Sequence, residues 1–512
     1  MNDRNELNEP IINLDNCARE PIHIPGSIQP RGVLFVLGEP DLAILQVSEN
    51  CSSLLGLDPA EMFDKGLPGF LNSDQIQRIR FALDSTDPTE NNQVPVDLRS
   101  VSGVELDAIV HRFDGFSFLE LELSVPVGRD VFLNFYKNVS RATSSMQAAK
   151  TLSDLLTHAA KAIRSVTGFD RVMVYRFAET FDGQVVAEDR DAELSPFLGL
   201  WFPASDIPVQ SRRLYVSSPI RAISDVMYTP VPILPVINPR SGRPTDLSHA
   251  GLRSVSPIHC EYLQNMGVAA SMSVSIVRDG KLWGLIACHH KTPKTPSYET
   301  RKACIFLGQI LNGEIVRRET EEESAFAAQT NATKARFLET MAASTSDPVL
   351  SLLHGSPNLM DLVSCNGAAY VVGESVHAIG AVPSYSHLLG IAEVLRQASV
   401  PATFAVSSLK GRYDEADEVA SVASGVIALT LSKKPSRQIL LFRPHLSQTT
   451  SWGGNPQKAV IADEDGFRLS PRKSFEAWQE NTYGSSLPWK PAEVQAADDL
   501  RNLINVIAIR SN

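Results

Sequence analysis

Apolar and polar positions along this chain change period several times, and each change marks an element. Between residues 32 and 125 the apolar runs are short. Val33-Leu34-Phe35-Val36 predicts one strand, and Phe118-Leu119-Glu120-Leu121-Glu122-Leu123 alternates, placing Leu119, Leu121 and Leu123 inward and Glu120 and Glu122 outward. A half-buried antiparallel sheet is expected there. Leu152, Leu155, Leu156, Ala159, Ile163 and Val166 then repeat at helical spacing, and Gly168 stops that helix before a strand begins at Arg171-Val172-Met173-Val174-Tyr175. This opens a second α+β domain. Within it, Ala270–Val277 has period two, with Ser271, Ser273 and Ser275 on one face and Met272, Val274 and Ile276 on the other. Asp279-Gly280 predicts the turn into a deeply buried strand, Leu282–His290, that ends on a histidine pair.

From about Tyr298 to Ala343 there is no proline, acids stand beside Arg317 and Arg318, and Leu307, Leu311 and Ile315 fall four apart, so one long helix is expected to lead into a third region. That region, about 345–490, alternates at Tyr370-Val371-Val372 and at Ser436–Phe442. It loses regularity between Pro444 and Pro488, a long arm that reads as a functional excursion or as disorder. The last helix sets Ala497, Leu500, Ile504 and Ile507 in a narrow seam of the coiled-coil kind, which predicts pairing with a second copy of the chain.

Bulk properties narrow the class. A length of 512 residues with 43% hydrophobic composition implies two to four domains, and three fits the pattern. The formal charge of −11 argues against a nucleic-acid partner, whose phosphates are met by clustered Lys and Arg. The six cysteines are scattered without metal-type pairs and no signal peptide is evident, so reduced thiols and a cytoplasmic location are expected. No apolar run approaches the roughly 18 residues of a membrane span.

The candidate chemistry gathers in the second domain. Pro203 and Pro208 restrict the backbone around Asp206, which suggests that its carboxylate and its carbonyl direction both matter; a plainer reading makes Ser205 or Asp206 the N-cap of a helix through Arg212 and Leu214. Arg221 and Arg253 sit in apolar settings. Two planar donor forks suit a ligand with two carboxylates, such as tetrapyrrole propionates, although two surface arginines would give the same pattern. Tyr215, Ser256, His259, Ser271 and Ser273 nearby favour a polar pocket, since buried hydroxyls need partners. His259 and His289 lack a second ligand at metal spacing. Cys260 beside His259 diverges from it on either kind of element, which argues against a catalytic pair. Cys17 lies in a segment punctuated by Pro21, Pro25, Gly26 and Pro30 that reads as packed against something.

Six ordered motifs carry a resemblance over nearly the whole chain: Glu20-Pro21-Ile22-His23-Ile24-Pro25-Gly26, Pro203–Pro208, Leu252–His259, Trp283–His290, Trp452-Gly453-Gly454 and Pro471-Arg472-Lys473-Ser474-Phe475. The chain resembles a bacterial phytochrome photosensory core. The resemblance implies an α+β protein of PAS, GAF and PHY domains with antiparallel sheets, flanking and connecting helices and an N-terminal figure-of-eight knot around Ile28. The expected bounds are 1–125 for the N-terminal segment and PAS domain, 139–318 for GAF, and 330–505 for PHY, whose tongue spans about 444–488.

It further implies a red/far-red photoreceptor holding biliverdin through a thioether at Cys17. Ile258 stands where plant relatives attach the pigment. Carried over residue by residue, Asp206 and His259 would hold the pyrrole nitrogens beside Ile207 and Pro208. Arg221, Arg253, Tyr215, Ser256, Ser271 and Ser273 would hold the propionates. Tyr175, Phe202 and Tyr262 would surround the turning ring, with His289 on its carbonyl. In the tongue, which also carries Trp452, Arg472 would pair with Asp206 and later yield it to Ser474. No catalytic residue, metal, nucleic acid or membrane is implied for these residues. A homodimer is, and so is an output module such as a histidine kinase, or response-regulator signalling, beyond residue 512. Two departures stand out: Pro30-Arg31-Gly32 replaces the usual Pro-His-Gly, and Phe442-Arg443-Pro444-His445 lacks the usual final acid. The alternative is a GAF-type sensor of a diffusible anionic ligand.

Overall fold

The computed structural model describes residues 20–84, 94–96, 100–101, 104–124, 129–344, 347–397, 400–433, 435–446, 448–456, 460–462, 469–471, 474–482 and 484–510. They carry three domains of mixed helix and antiparallel sheet, and the chain divides into two compact units: Met1–Val316 with Ser451–Trp478, and Arg317–Thr450 with Gln479–Asn512.

The first sheet of the larger unit runs Ser27–Ile28, Val231–Leu234, Ala43–Ser48, Gly32–Gly38, Phe116–Leu123, Val104–Phe113, Val94–Val96. Its outer two strands are borrowed from an N-terminal segment and from an excursion of the second domain. Short helices at Cys51–Leu55, Pro59–Lys65 and Ser73–Asp84 cover one face, packing Leu55, Met62, Ile79 and Leu83 on Phe35, Leu119 and Leu121. The other face was expected to meet water and does not. Glu120 is fully buried, Glu122 is 4% exposed, and it is Leu123 that stands out at 45%. The cause is the excursion, whose Ile233, Leu247, Ala250 and Leu252 cover Leu34, Val36 and Phe118 on that face. Both acids find partners there: Glu120 accepts from the N–H groups of Gly251 (3.1 Å) and Leu252 (2.7 Å), and one oxygen of Glu122, Oε2, pairs with both Arg31 (3.1 Å) and Arg301 (2.7 Å), while its buried Oε1 has no hydrogen-bond partner among the described residues.

The N-terminal segment is held from both sides by this excursion, as the expected figure-of-eight knot requires. Ser27 and Ile28 pair with Pro232 and Val231. On the opposite side the N–H of Leu247 donates to His23 O (2.8 Å), that of Gln29 to Leu252 O (2.7 Å) and that of Ser254 to Ser27 O (3.2 Å). Ile28 is wholly buried as the plug of this arrangement. Arg31, the departure from the usual histidine, bridges Glu122 and the carbonyl of Gly251 (3.1 Å), so it joins segment, sheet and excursion.

The second sheet of this unit follows the expected periodicity. Its order is Ile220–Ile223, Ala270–Arg278, Lys281–His290, Arg171–Phe177, Gly183–Arg190, Trp201–Phe202, to which Trp452 adds in parallel against Trp201. The helix Leu152–Thr167 ends at Gly168 with φ 62°, and Asp279-Gly280 turn with φ 49° and 72°, the left-handed pair a two-residue hairpin needs. One face of the sheet is closed by helices: Leu155, Ala159, Ile163, Leu307, Leu311 and Ile315 pack on Val172, Val174, Met272, Val274, Ile286 and Cys288. The long helix spans Tyr298–Ala343, as the sequence predicts.

In the smaller unit a five-stranded sheet runs Ser375–Gly380, Gly367–Val372, Ser436–Arg443, Gly425–Lys433, Thr403–Val406. Leu388, Ile391, Leu395 and Val419 cover one face. The other is covered by Phe337, Met341 and Leu352 together with Ala497, Leu500 and Ile504 of the last helix. The seam expected to meet a second copy is therefore spent inside its own unit, because a narrow apolar stripe fits a sheet as well as another helix. Arg443 has an acid despite His445: Glu493, 48 residues beyond the expected one, binds its guanidinium at 2.6 Å.

Candidate functional site

Strand alternation builds the site. The face of the second sheet turned away from the helices presents Arg171, Met173 and Tyr175, then Val185, then Leu285, Ala287 and His289, then Ser271 and Ser273. Over it lies a cavity in two adjoining lobes, of about 140 Å³ and about 110 Å³. Asp206, Ile207, Tyr215, Arg221, His259 and Tyr262 line both lobes; Pro208, Arg253 and Ser256 line the first, and Tyr175, Phe202, Ser271, Ser273 and His289 the second. One cavity thus brings together every residue the sequence proposes for pigment contact, apart from Cys17, which lies outside the described residues.

The Pro203–Pro208 stretch forms a single 3-10 turn, Ala204–Asp206, and the helix that follows is Val209–Ser217 with Pro208 as its N-cap. Neither Ser205 nor Asp206 caps it; Pro208, in extended geometry at ψ 165°, separates the turn from the helix. Arg212 fixes the turn by donating to the carbonyls of Ile207 and Ala204, the latter at 3.3 Å. The Asp206 carboxylate accepts from the Tyr262 hydroxyl at 2.8 Å. Tyr262 lies three residues after His259 on the helix Pro257–Asn265, so both side chains face the cavity, their rings 6.3 Å apart and 12° from parallel.

Burial shapes the electrostatics. It holds His259 down to about 4, helped by Arg221, and His289 down to about 3, helped by Arg171 and His259. Both rings are neutral at pH 7, each with one donor and one acceptor nitrogen. Arg221 and Arg253 are held down to about 9 and about 10, by burial first, and remain cations. Their forks reach only backbone carbonyls: Arg221 donates to Arg253 O and Ala250 O, and Arg253 to Ile22 O at 2.6 Å. The buried Nε atoms of both arginines and Nδ1 of His289 have no hydrogen-bond partner. Two cations not paired with a carboxylate among the described residues, beside an unmatched imidazole, suit a dianionic ligand with a carbonyl, which is what a bilin offers.

The outer wall comes from the arm. Phe475 meets the Tyr262 ring edge-on at 5.1 Å, Trp452 lies 6.5 Å from Trp201, and Gly453 is so close to Phe202 that a Cβ there would sit 2.7 Å from its ring. Ser474 is exposed, its hydroxyl accepting from Glu476 N at 3.4 Å, and Arg472 lies outside the described residues. Cys260 lines neither lobe, and burial pushes its thiol up to about 11.

Sequence reasoning missed Glu20. It lines the first lobe and accepts from the Ser256 hydroxyl at 2.9 Å, while burial raises its carboxyl. An acid three residues from Cys17 inside the quoted motif was the available signal. Met173, Val185 and Leu285 were missed too, though alternation with Tyr175 and His289 places them on the same face. Among the described residues no group of three or more His, Cys, Asp or Glu is placed to hold a metal, and no helix is long and apolar enough to cross a membrane.

Comparison with known proteins agrees with this arrangement. Family profiles match at 17–124 (PAS fold), 151–312 (GAF domain) and 330–512 (Phytochrome region). Cyanobacterial phytochrome B of Nostoc sp. is 42% identical over 501 residues, covering 98% of this chain and 67% of that protein. A bacteriophytochrome of Pseudomonas aeruginosa is 35% identical over 493 residues, covering 96% and 66%. The chain thus spans about two thirds of the length of these relatives. Among solved structures, the bacteriophytochrome of R. palustris matches with a TM-score of 0.85 at 39% identity, covering 98% of this chain and 100% of that one. The Stigmatella aurantiaca phytochrome photosensory core module matches at 0.82 and 40%, covering 98% and 99%.

Proposed function

The chain belongs to the phytochrome family as a photosensory core of the bacteriophytochrome kind, a light photoreceptor, and from that premise we propose that its cavity takes biliverdin, tied by a thioether to Cys17. When bound, the pigment supplies red and far-red absorption and a methine double bond about which one ring turns. Arg221 and Arg253 bind its two propionates, with the hydroxyls of Tyr215, Ser256, Ser271 and Ser273 as further donors. The carbonyl of Asp206 and the ring of His259 accept from the pyrrole N–H groups, and Ile207 and Pro208 fix where that carbonyl points. Tyr175, Phe202 and Tyr262 pack around the moving ring, and neutral His289 donates to its carbonyl.

The arm carries the response. Asp206 is the partner of Arg472 in the red-absorbing state and of Ser474 after illumination, so one carboxylate selects between two settings of the tongue beside Trp452. No reaction is assigned to these residues. The signal passes to an output module or a response regulator in a longer parent protein, in the cytoplasm. We further propose a homodimer, whose contact cannot use Ala497, Leu500 and Ile504 because these are buried within one unit.

The observation that carries this reading is the pair of buried guanidiniums with no ion pair to a carboxylate among the described residues, in one cavity with an unmatched His289. Incubation with biliverdin followed by a denaturing gel tests it. Fluorescent pigment should stay on the wild-type band and be lost from Cys17→Ser. A wild-type band without colour overturns it and favours a sensor of a diffusible anion.

A further inference from the structure

We propose that the buried Arg171–Glu188 ion pair is a positioning device for the photoactive end of the cavity: it sets a fixed charge across the strands from His289 and pins the wall against which the pigment ring turns. The inference rests on the reading of His289 as the partner of a ring carbonyl. Neither residue lines the cavity, so both act through others.

The register places the pair. Arg171 is the cross-strand partner of His289, and Met173 on the same strand is the partner of Glu188. Directly opposed side chains share a face, with Cβ atoms roughly 5 Å apart. Arg171 is 5% exposed and the Glu188 side chain 3%, and they meet at 3.1 Å. Each then holds the same turn. Glu188 accepts from the N–H groups of Phe197 (3.0 Å) and Leu198 (3.1 Å), while Arg171 donates to Ser195 O and lies 3.8 Å over the Phe197 ring. Phe197 in turn packs at 6.0 Å on Phe202, which lines the second lobe.

Two buried charges of this kind contribute little net stability against an apolar pair of equal volume, so their effect here lies in orientation and field. The field acts on His289. Arg171 stands directly across the strands from it and adds to burial in keeping the imidazole uncharged. The other titratable or charged groups facing His289 are His259, Tyr262, Asp206, Tyr175, Tyr215 and Arg221 around the lobe. Behind Arg171 stands Glu188, with Arg190 at 3.8 Å from it. Removing only the cation would take a like charge away from the imidazole and so favour its protonation, while Glu188 would keep Arg190 and the two backbone N–H groups.

The test reads His289 directly by nitrogen NMR of histidine-labelled, pigment-free protein, with the signal assigned by its loss in His289→Gln. The midpoint should rise in Arg171→Gln, rise less in Arg171→Gln/Glu188→Gln, and stay at or below the wild-type value in Glu188→Gln. If Arg171→Gln does not fold, the double variant, which removes both members of the buried pair, must still titrate above wild type. Midpoints that coincide in all variants overturn the proposal. In the pigment-loaded chain, Arg171→Lys keeps the charge but loses the planar fork on Ser195 and Phe197. Its histidine midpoint should match wild type while its photoproduct yield falls; an unchanged yield removes the wall-pinning half. A wild type that never retains pigment would instead refute the biliverdin reading, leaving the NMR order to judge the electrostatics.

Discussion

Replacing Glu122 with Gln should destabilise the first sheet by at least 3 kcal/mol in order of magnitude, although the two side chains have nearly the same shape. Glu122 is the shared acid of a buried trio, at 3.1 Å from Arg31 and 2.7 Å from Arg301, and all three side chains are at most 8% exposed. Its carboxyl stays below the usual range because the two guanidiniums outweigh the burial that opposes ionisation. The amide would leave both cations inside the protein without the carboxylate that pairs with them. Breaking a buried pair by removing one partner costs about 3–5 kcal/mol, and the amide oxygen, which still accepts one hydrogen bond, sets the lower end. Arg31 already feels the cost of burial, which holds it down to about 10.

Native-state hydrogen exchange suits this chain better than a global melt, because its separate units need not unfold together. A loss of about 3 kcal/mol corresponds to roughly a hundredfold faster exchange. It should appear in peptides covering Gly32–Gly38 and Phe116–Leu123 and be absent from Gly425–Lys433. The triple variant Arg31→Met, Glu122→Leu, Arg301→Met removes every charge at once, and it should recover most of the loss. Exchange in Glu122→Gln within about threefold of wild type, a change below 1 kcal/mol, would refute the reasoning. So would a triple variant no better than the single one.

Two further outcomes follow from neighbouring geometry. Burial and the adjacent Glu122 push the Glu120 carboxyl up to about 7 from its ordinary 4.5. The folded chain therefore keeps a proton that the unfolded chain has released, so this group's contribution falls as pH rises from about 4.5 to about 7, by up to about 3 kcal/mol. Urea midpoints at pH 5 and pH 7.5 should differ more in wild type than in Glu120→Gln; equal differences would sink the assignment. Gly453→Ala would drive a methyl to 2.7 Å from two carbons of the Phe202 ring. Either Phe202 or the arm must yield, at about 1–3 kcal/mol, so exchange at 451–453 should quicken, and unchanged exchange would show that the close approach does not hold the arm.

What the sequence concealed has one physical source. Period-two alternation in Phe116–Leu123 shows that the two faces of a strand differ; it does not show that the polar face meets water. The cover over Glu120 and Glu122 comes from residues 231–252, more than a hundred positions away, and one of the answering cations, Arg301, from further still. The last helix repeats the lesson in reverse. Its seam of Ala497, Leu500 and Ile504 specifies an apolar partner but not which one, and Ile427 and Leu429 of its own unit fill the place given to a second chain. The cavity residues were legible because they are set by local rules: alternation put Ser271, Ser273, Tyr175 and His289 on one face, and the prolines fixed Asp206. Arg31 joins the two kinds of information. Read locally it is only a departure from a motif, whereas Glu122 and Arg301, distant in sequence and opposite in sign to one another, make it the third member of a trio that closes the knot over the sheet.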